Sequence, residues 1–184
     1  MLDKADNELK RKSLLLALSN FKCSQDLDIE NFLHTNALYF LERGLCSVYL
    51  LLNEDAFLNG KLKIEAYFTL SHKTMCVTSE MTKTKVKEIN GFKTVESLHF
   101  VLIGQLGKYI IKNDDNVYMR SEITSKEILD HAFEVIYSSS NLIPCRCVLV
   151  ECNDEEKVKK TYENYGFKFF QNDGEHNQYY KVLD

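Results

Sequence analysis

The chain has 184 residues, of which 45% are hydrophobic and 27% are charged, and its formal net charge is −4. This size and composition predict one globular domain over residues 1–184 that can bury a hydrophobic core without the support of disulfides or a structural metal. The negative charge argues against a broad nucleic-acid-binding surface and leaves only a local basic patch open. No apolar run approaches the roughly 20 residues of a membrane-spanning helix. The charged N-terminus lacks a cleavage site, so we expect a cytoplasmic protein without a membrane segment.

The six cysteines form no C-x-x-C pair, and no histidine stands at zinc spacing from them. In a cytoplasmic protein this usage is typical of buried, reduced thiols. We favour that interpretation over metal or redox chemistry, and we predict no metal site.

Periodicity and turn residues predict the elements of the first half of the chain. They are a charged leader or short helix over 1–19, a short strand over 20–24, a helix ended by Gly44, a buried strand over 46–53, a two-residue hairpin at Asn59-Gly60 and a half-buried strand over 62–70. Residues 71–98 are the least regular region and contain several lysines. They form either a helix followed by a loop or a mobile excursion, and we interpret them as an insert between the third and fourth strands.

The second half alternates strands and helices. The predicted elements are a central strand over 99–108, a polar irregular stretch over 110–123, a helix over 124–138, a strand over 146–152, a helix over 153–164, a strand over 168–171 and a final hairpin turned at Asn172-Asp173-Gly174. A strand–helix–strand unit requires a parallel strand pair. The order predicts an α/β fold in which antiparallel strands precede this parallel pair.

The helix over 153–164 ends in the string Tyr162-Glu163-Asn164-Tyr165-Gly166-Phe167. This Tyr-x-x-x-Gly-Phe pattern resembles the closing motif of the GNAT acyl-CoA N-acyltransferases. In that family the tyrosine often protonates the departing CoA thiolate, so the resemblance implies that role for Tyr162. The other interpretation is a helix C-cap, in which Gly166 supplies the left-handed residue that ends the helix.

Two further strings resemble GNAT elements. The strand that ends in Leu106-Gly107-Lys108 resembles the family's fourth strand, which implies that these residues hold pantetheine through their main chains, much as an added strand would. The segment Arg120–Ser125 resembles the pyrophosphate loop Gln/Arg-x-x-Gly-x-Gly/Ala at a helix N-terminus. The residues implied to contact the pyrophosphate are Arg120, Ser121, Thr124, Ser125 and Lys126. Ile123 replaces the family's glycine, and an ordinary N-capped helix is the alternative.

The resemblance implies a GNAT fold, with a mixed central sheet of about six or seven strands flanked by helices and a parallel pair splayed apart at strands 4 and 5. It also implies transfer of an acetyl group from acetyl-CoA to a primary amine in a direct ternary complex. Candidate bases are Glu151 and Glu65, with His72 and His99 as weaker candidates.

The sequence leaves an alternative open, since Ile123 also fits a GNAT-fold protein that binds a ligand or partner with little turnover. A toxin-like enzyme that acetylates charged tRNA is a narrower form of the enzymatic hypothesis. The acidic charge argues against a nucleic-acid partner unless Lys83, Lys85, Lys87 and Lys93 form a local patch. The identity of the amine, and whether the chain is a monomer or a homodimer, stay open.

Overall fold

The computed structural model describes residues 2–140, 142 and 144–183 of the chain. The α-helices are α1 (Leu2–Asn20), α2 (Leu27–Asn31), α3 (Ala37–Glu42), α4 (Glu54–Leu58), α5 (Lys83–Asn90), α6 (Ser125–Ser139) and α7 (Glu156–Asn164), and a π-helical turn, Phe32–Asn36, joins α2 to α3. The strands are β1 (Ser47–Leu52), β2 (Ile64–Cys76), β3 (Ser97–Lys108), β4 (Ile110–Lys112), β5 (Tyr118–Arg120), β6 (Cys147–Cys152), β7 (Lys168–Asn172) and β8 (Asn177–Val182).

Six strands form a mixed sheet in the order β1-β2-β3-β6-β8-β7, and β4 and β5 form a separate hairpin. The predicted parallel pair is confirmed: β3 and β6 run in the same direction, with Val101 opposite Val148 and Ile103 opposite Val150. β8 pairs antiparallel with both β6 and β7. Residues 147–150 of β6 are all buried, as expected for a strand covered on both faces.

The chain divides into two compact units. The first contains the residues up to Phe68 together with Gln105–Thr124. Its core is aromatic, and the rings of Phe21 and Tyr67 meet edge to face at 5.4 Å between centroids. The Tyr67 hydroxyl donates a hydrogen bond of 2.7 Å to the carbonyl oxygen of Ile29. This bond satisfies the one polar atom of a side chain that is otherwise fully buried.

The second unit contains Thr69–Gly104 and the residues from Ser125 onward. Helix α5 buries Val86 and Ile89 against side chains of β3, β6, β7 and β8. Helix α6 buries one face, which consists of Ile128, Leu129, Ala132, Phe133 and Ile136. These are the residues that helical spacing placed together in the sequence, so the predicted amphipathic face of α6 is confirmed.

Two predictions near the N-terminus are changed by the structure. The segment 1–19 is predicted to be a leader or short helix, and from Leu2 onward it lies in helix α1, which has 19 residues. The predicted strand over 20–24 is wrong, since it makes only an isolated bridge between Cys23 and Ile110. The physical reason is the turn that follows at once: the Asp26 N–H donates to the Cys23 carbonyl at 2.9 Å, and Asp26 caps α2, so the chain leaves β4 after one bridge.

The predicted hairpin at Asn59-Gly60 is also wrong, because this dipeptide ends helix α4. The N–H of Gly60 donates to the carbonyl of Phe57 at 2.9 Å, and that of Lys61 donates to Ala56 at 2.9 Å. These two bonds form a Schellman motif, and Gly60 has the positive φ of 73° that the motif requires. A glycine that reverses a hairpin and one that ends a helix give the same local signal in the sequence.

Two regions contain more regular structure than the sequence indicated, although α5 agrees with the helix that was one interpretation of residues 71–98. Within 71–98 lie the end of β2, helix α5 and the beginning of β3. The stretch 110–123, predicted to be irregular, contains the β4–β5 hairpin. Both regions are rich in polar residues and so gave no clear strand pattern. The outer part of β2 alternates between half-buried and exposed positions, and β5 is exposed throughout. Among the described residues, no helix has the length and apolarity that a membrane crossing requires.

Candidate functional site

The string Tyr162–Phe167 ends α7 as a Schellman motif. The N–H of Phe167 donates to the carbonyl of Tyr162 at 3.0 Å, and that of Gly166 donates to Glu163 at 2.9 Å. Gly166 has a φ of 95°. The Phe167 ring lies 5.7 Å from the Tyr162 ring, which supplies the hydrophobic contact that usually accompanies this motif. The C-cap interpretation is therefore confirmed, and the same motif fixes the position of Tyr162.

Tyr162 lies in a buried aromatic environment and is only 7% exposed. Its ring is 6.4 Å from that of Tyr179. Burial, and next the neighbouring Cys152 thiol, raise the pKa of the Tyr162 hydroxyl well above its ordinary value, so the hydroxyl is protonated at neutral pH. Among the described residues this hydroxyl has no hydrogen-bond partner, and it is not one of the fully buried polar atoms that lack one. It is therefore a donor available to a ligand.

Glu151, at the end of β6, belongs to a polar network of the second unit. Its Oε1 accepts hydrogen bonds from Nζ of Lys73 and, at 2.6 Å, from Nε2 of Gln178. The Gln178 side chain is 1% exposed and also donates to Asp173 at 2.9 Å. Hydrogen bonds from the main-chain N–H groups of His176 and Glu175 lower the pKa of Asp173. The network therefore fixes one oxygen of Glu151 between a cation and an amide.

Sequence reasoning missed Lys73 and Gln178. Gln178 could have been found from the register of the terminal hairpin, because it lies directly opposite Glu151 in the β6–β8 pair. Lys73 is 78 positions from Glu151, within a polar stretch that gave no strand signal.

Helix α6 begins at Ser125, and Lys126 lies in its first turn. The Lys126 ammonium group contacts Oδ2 of Asp130 at 2.7 Å, and the Tyr165 hydroxyl donates to the other oxygen at 2.8 Å. These bonds, first that of Lys126 and then that of Tyr165, lower the pKa of Asp130. The Lys126 side chain is 75% exposed, so the ion pair contributes little stability and can be exchanged for another anion.

Three predicted pantetheine ligands, Leu106, Gly107 and Lys108, form the end of β3 in the first unit. Gly107 is buried, and a Cβ there would lie 2.3 Å from Cε1 of Tyr67. Its lack of a side chain is therefore explained by packing inside this unit.

The predicted pyrophosphate segment begins in the β4–β5 hairpin rather than in a loop. Arg120 is the last residue of β5 and lies opposite Ile110. The Ser121 N–H donates to the carbonyl of Tyr109 at 3.1 Å, and its hydroxyl donates to the carbonyl of Glu65 at 3.0 Å. Both donors of Ser121 therefore have carbonyl partners, which a phosphate would have to replace. Thr124 is exposed and directly precedes α6.

The other candidate bases have structural partners. Oε1 of Glu65 accepts a hydrogen bond of 2.8 Å from Asn53, the residue that caps α4. His99 lies between the hydroxyls of Thr74 and Ser97, at 3.0 and 3.1 Å. His72 and His99 line a cavity of about 200 Å³ in the second unit. His99 lies near the start of β3, whereas Glu151 lies near the end of the parallel strand β6, so the two occupy opposite ends of this strand pair.

The cysteines are free thiols, and burial raises the pKa of Cys147 to about 12. Within the part of the chain that the structure describes, no group of three or more His, Cys, Asp or Glu side chains is arranged to hold a metal ion.

No protein-family model matches the chain, and no curated protein matches it in sequence. Solved structures do. The toxin AtaT complexed with acetyl-methionyl-tRNAfMet is 19% identical, with a TM-score of 0.67 over 90% of this chain and 86% of that one. AtaTR bound with acetyl-CoA is 19% identical, with a TM-score of 0.66 over 90% and 86%. A mutant of KacT is 17% identical, with a TM-score of 0.65 over 90% and 86%.

At these identities the similarity defines the fold. The match covers 90% of the chain and agrees with the order of elements, the mixed six-stranded sheet and its parallel β3–β6 pair. The chain therefore has the GNAT fold that its sequence predicted.

Proposed function

We propose that this chain is an N-acetyltransferase that moves the acetyl group of acetyl-CoA onto a primary amine within a direct ternary complex. The observation that carries this proposal is the hydroxyl of Tyr162, a buried side chain that the Schellman motif holds in place and whose hydroxyl has no hydrogen-bond partner among the described residues. The fold adds support, since AtaT and AtaTR with this fold have been solved with acetyl-CoA bound.

The reaction forms a C–N bond between a neutral amine and the thioester carbonyl carbon, and it breaks the C–S bond. The amine loses a proton, and the sulfur leaves as a thiolate, for which the ordinary thiol pKa is about 8.5. Because its pKa is raised, Tyr162 stays protonated and donates a hydrogen bond to this sulfur. A phenol holds its proton more tightly than a thiol does, so Tyr162 stabilises the developing thiolate, and solvent supplies any proton that Tyr162 passes on.

Glu151 is the proposed acceptor of the amine proton, directly or through water. Lys73 and Gln178 both bind its Oε1, and among the described residues its Oε2 makes no hydrogen bond. That oxygen is therefore the one proposed to meet the amine. The network holds the carboxylate in one orientation, which is what a positioned base requires.

Main-chain groups of Leu106, Gly107 and Lys108 are proposed to pair with pantetheine. The proposed pyrophosphate ligands are Arg120, Thr124, Ser125 and Lys126, without Ser121. Support comes from the start of α6, whose first N–H groups suit an anion, and from the two cations, which are exposed. Ile123 in the glycine position predicts a looser cradle than glycine would allow.

The proposed acceptor is the α-amino group of an aminoacyl-tRNA. AtaT has been solved with acetyl-methionyl-tRNAfMet, a molecule that carries an acetylated amino acid. The net charge of −4 led us to expect no nucleic-acid partner, but a net charge sums over the whole surface and says nothing of one patch. This proposal replaces that expectation. Acetyl-CoA and aminoacyl-tRNA meet in the cytoplasm, where we propose that the protein acts.

The second candidate function is ligand binding without turnover, which Ile123 favours. A thiol-release assay with acetyl-CoA separates the two, using aminoacyl-tRNA, deacylated tRNA, amino-acid amides and polyamines as acceptors. Thermal unfolding with acetyl-CoA runs in parallel, because a ligand at 100 times its dissociation constant stabilises by about 2.7 kcal/mol. Thiol release that requires an amine supports the enzyme. Stabilisation by acetyl-CoA without thiol release for any acceptor supports the binding protein. The absence of both stabilisation and thiol release would refute both candidate functions.

A further inference from the structure

The β4–β5 hairpin of the first unit carries an exposed tyrosine, Tyr118, to which the proposed acetyl transfer assigns no role. Lys112 lies opposite Tyr118, and Ile110 lies opposite Arg120. Val117, Tyr118 and Met119 follow one another and are 57%, 41% and 51% exposed. Because successive side chains of a strand alternate between its two faces, Met119 lies on the opposite face of β5 from Tyr118.

Two cations flank the Tyr118 ring. Nζ of Lys112 lies 5.7 Å from the ring centroid, and Cζ of Arg120 lies 5.9 Å from it. The hairpin explains this arrangement, because a residue directly opposite and a residue two positions away share a face of the ribbon. Among the residues that the structure describes, neither cation has a carboxylate within ion-pair distance. The face therefore combines an aromatic ring with two charges that no acidic side chain neutralises.

We propose that this face binds the single-stranded 3′ end of an RNA. A base would stack on Tyr118 while Lys112 contacts an adjoining phosphate, which is how single strands are held without sequence readout. Arg120, which the proposed function assigns to CoA, adds positive charge beside the same ring. The identity of the RNA as an aminoacyl-tRNA rests on the proposed function, since the amino acid is attached to that single-stranded end.

Acidic residues in the turn favour a single strand over an anionic membrane. Asp114 and Asp115 are exposed between β4 and β5. A membrane surface would meet the turn as well as the ring, whereas one strand of RNA can follow the Tyr118 face past Arg120. The two aspartates should therefore weaken RNA binding slightly through repulsion.

Binding is measured by fluorescence anisotropy with a labelled single-stranded RNA that has the sequence of a tRNA 3′ end, so that no catalysis is needed. Tyr118→Ala should raise the dissociation constant about tenfold or more, because it removes the stacking surface. Tyr118→Phe keeps the ring and should stay within about twofold of the wild type. The matched control is Tyr39→Ala, since Tyr39 is 49% exposed and has Arg43 3.7 Å from its ring.

Charge variants test the phosphate contacts. Arg120 is also a proposed CoA ligand, so the test uses Lys112→Gln, which should weaken binding and reduce the salt dependence by about one phosphate contact, a slope of roughly 0.7. The Asp114→Asn, Asp115→Asn double variant should bind more tightly. Wild-type affinity in Tyr118→Ala, an equal loss in Tyr39→Ala, or no RNA binding by the wild type at low salt would each overturn the inference.

The experiments distinguish failure of the RNA-binding face from failure of the proposed function. If Tyr118 governs RNA binding but no aminoacyl-tRNA is acetylated, the RNA-binding face stands and the acceptor assignment falls. If aminoacyl-tRNA is acetylated equally well by the wild type and Tyr118→Ala, with equal affinity, the enzyme stands and the RNA-binding face falls.

Discussion

A Cβ atom on Gly107 would lie 2.3 Å from Cε1 of Tyr67 and 2.6 Å from Cγ2 of Ile29. Tyr67 is fully buried and is held by its hydrogen bond to the Ile29 carbonyl. Moving its ring aside would therefore cost free energy. The central residue of the Leu106-Gly107-Lys108 string is thus required by the packing of β3 against Tyr67. The motif that suggested a ligand site also has a steric origin.

Gly107→Ala should therefore destabilise the protein by about 3 kcal/mol, at the upper end of the usual overpacking cost. The matched control is Gly104→Ala on the same strand, where the new Cβ would meet Oγ1 of Thr69 at 3.2 Å. This milder contact should cost less than about 1.5 kcal/mol. Chemical denaturation measures both values. Equal stability of the two variants would show that the Tyr67 contact does not constrain β3.

Tyr162→Phe should lower the acetylation rate about 100-fold to 10,000-fold at unchanged acetyl-CoA affinity. The hydroxyl has no protein partner among the described residues, and the ring contacts with Phe167 and Tyr179 survive, so stability should stay near that of the wild type. Steady-state kinetics and calorimetry with acetyl-CoA check the two parts. A Phe variant within about twofold of the wild-type rate would exclude Tyr162 as the donor.

Glu151→Gln should lower turnover and also cost stability, because Lys73 loses its charged partner. The cost should be about 1–3 kcal/mol, the range for leaving a polar partner unsatisfied. Since the Lys73 side chain is 30% exposed, the lower end is expected. Lys73→Met isolates the structural part of the interaction.

The double variant Lys73→Met, Glu151→Gln then separates the two roles of Glu151. Stability should be partly restored, since neither charge is left alone, while turnover should stay low because the proposed base is absent. Recovery of turnover together with stability would show that Glu151 acts only in folding.

Glu30→Gln should reveal a pH-dependent contribution to stability. Burial alone raises the pKa of Glu30, but hydrogen bonds from the Cys23 N–H at 2.8 Å and Lys22 Nζ at 3.0 Å lower it overall. A lowered pKa gives stabilisation that is complete above the unfolded value of about 4.3 and is lost as the pH falls through the folded-state pKa. We expect wild type to exceed Glu30→Gln by about 1.5 kcal/mol at neutral pH.

The check is urea denaturation of both proteins from pH 7 to pH 3. The difference in unfolding free energy should shrink over the acid end of this range, because the protonated carboxyl then resembles the Gln amide. A difference that stays constant down to pH 3 would mean that the charge of Glu30 does not contribute.

Local patterns predicted the parts of the fold that depend on neighbouring residues. The face of α6, the end of α7 at Gly166 and the terminal hairpin all follow from spacing and glycine position. The same logic failed at Asn59-Gly60, since a positive φ serves a helix end as well as a hairpin. A helix end and a hairpin turn with the same local geometry cannot be distinguished without knowing which elements flank the glycine.

Contacts between distant residues were beyond sequence reasoning. The Lys73–Glu151 pair spans 78 positions, and the Tyr67–Ile29 bond spans 38. Neither leaves a local signal, so the network around Glu151 and the steric demand at Gly107 became visible only with the sheet in place. Ser121 illustrates the reverse case, because its hydroxyl matched a phosphate-binding pattern but bonds to the Glu65 carbonyl.

The most direct test of the account follows the acetyl group itself. Wild type and Tyr162→Phe are incubated with acetyl-CoA that carries an isotopic label in its acetyl group and with an aminoacyl-tRNA. The amino acid is then released from the tRNA, and its mass is measured by mass spectrometry. We expect label on the α-amino group with the wild type, at least about 100-fold less in the same time with the Phe variant, and none on deacylated tRNA. Unlabelled amino acid after incubation with a folded, acetyl-CoA-binding wild type would contradict it.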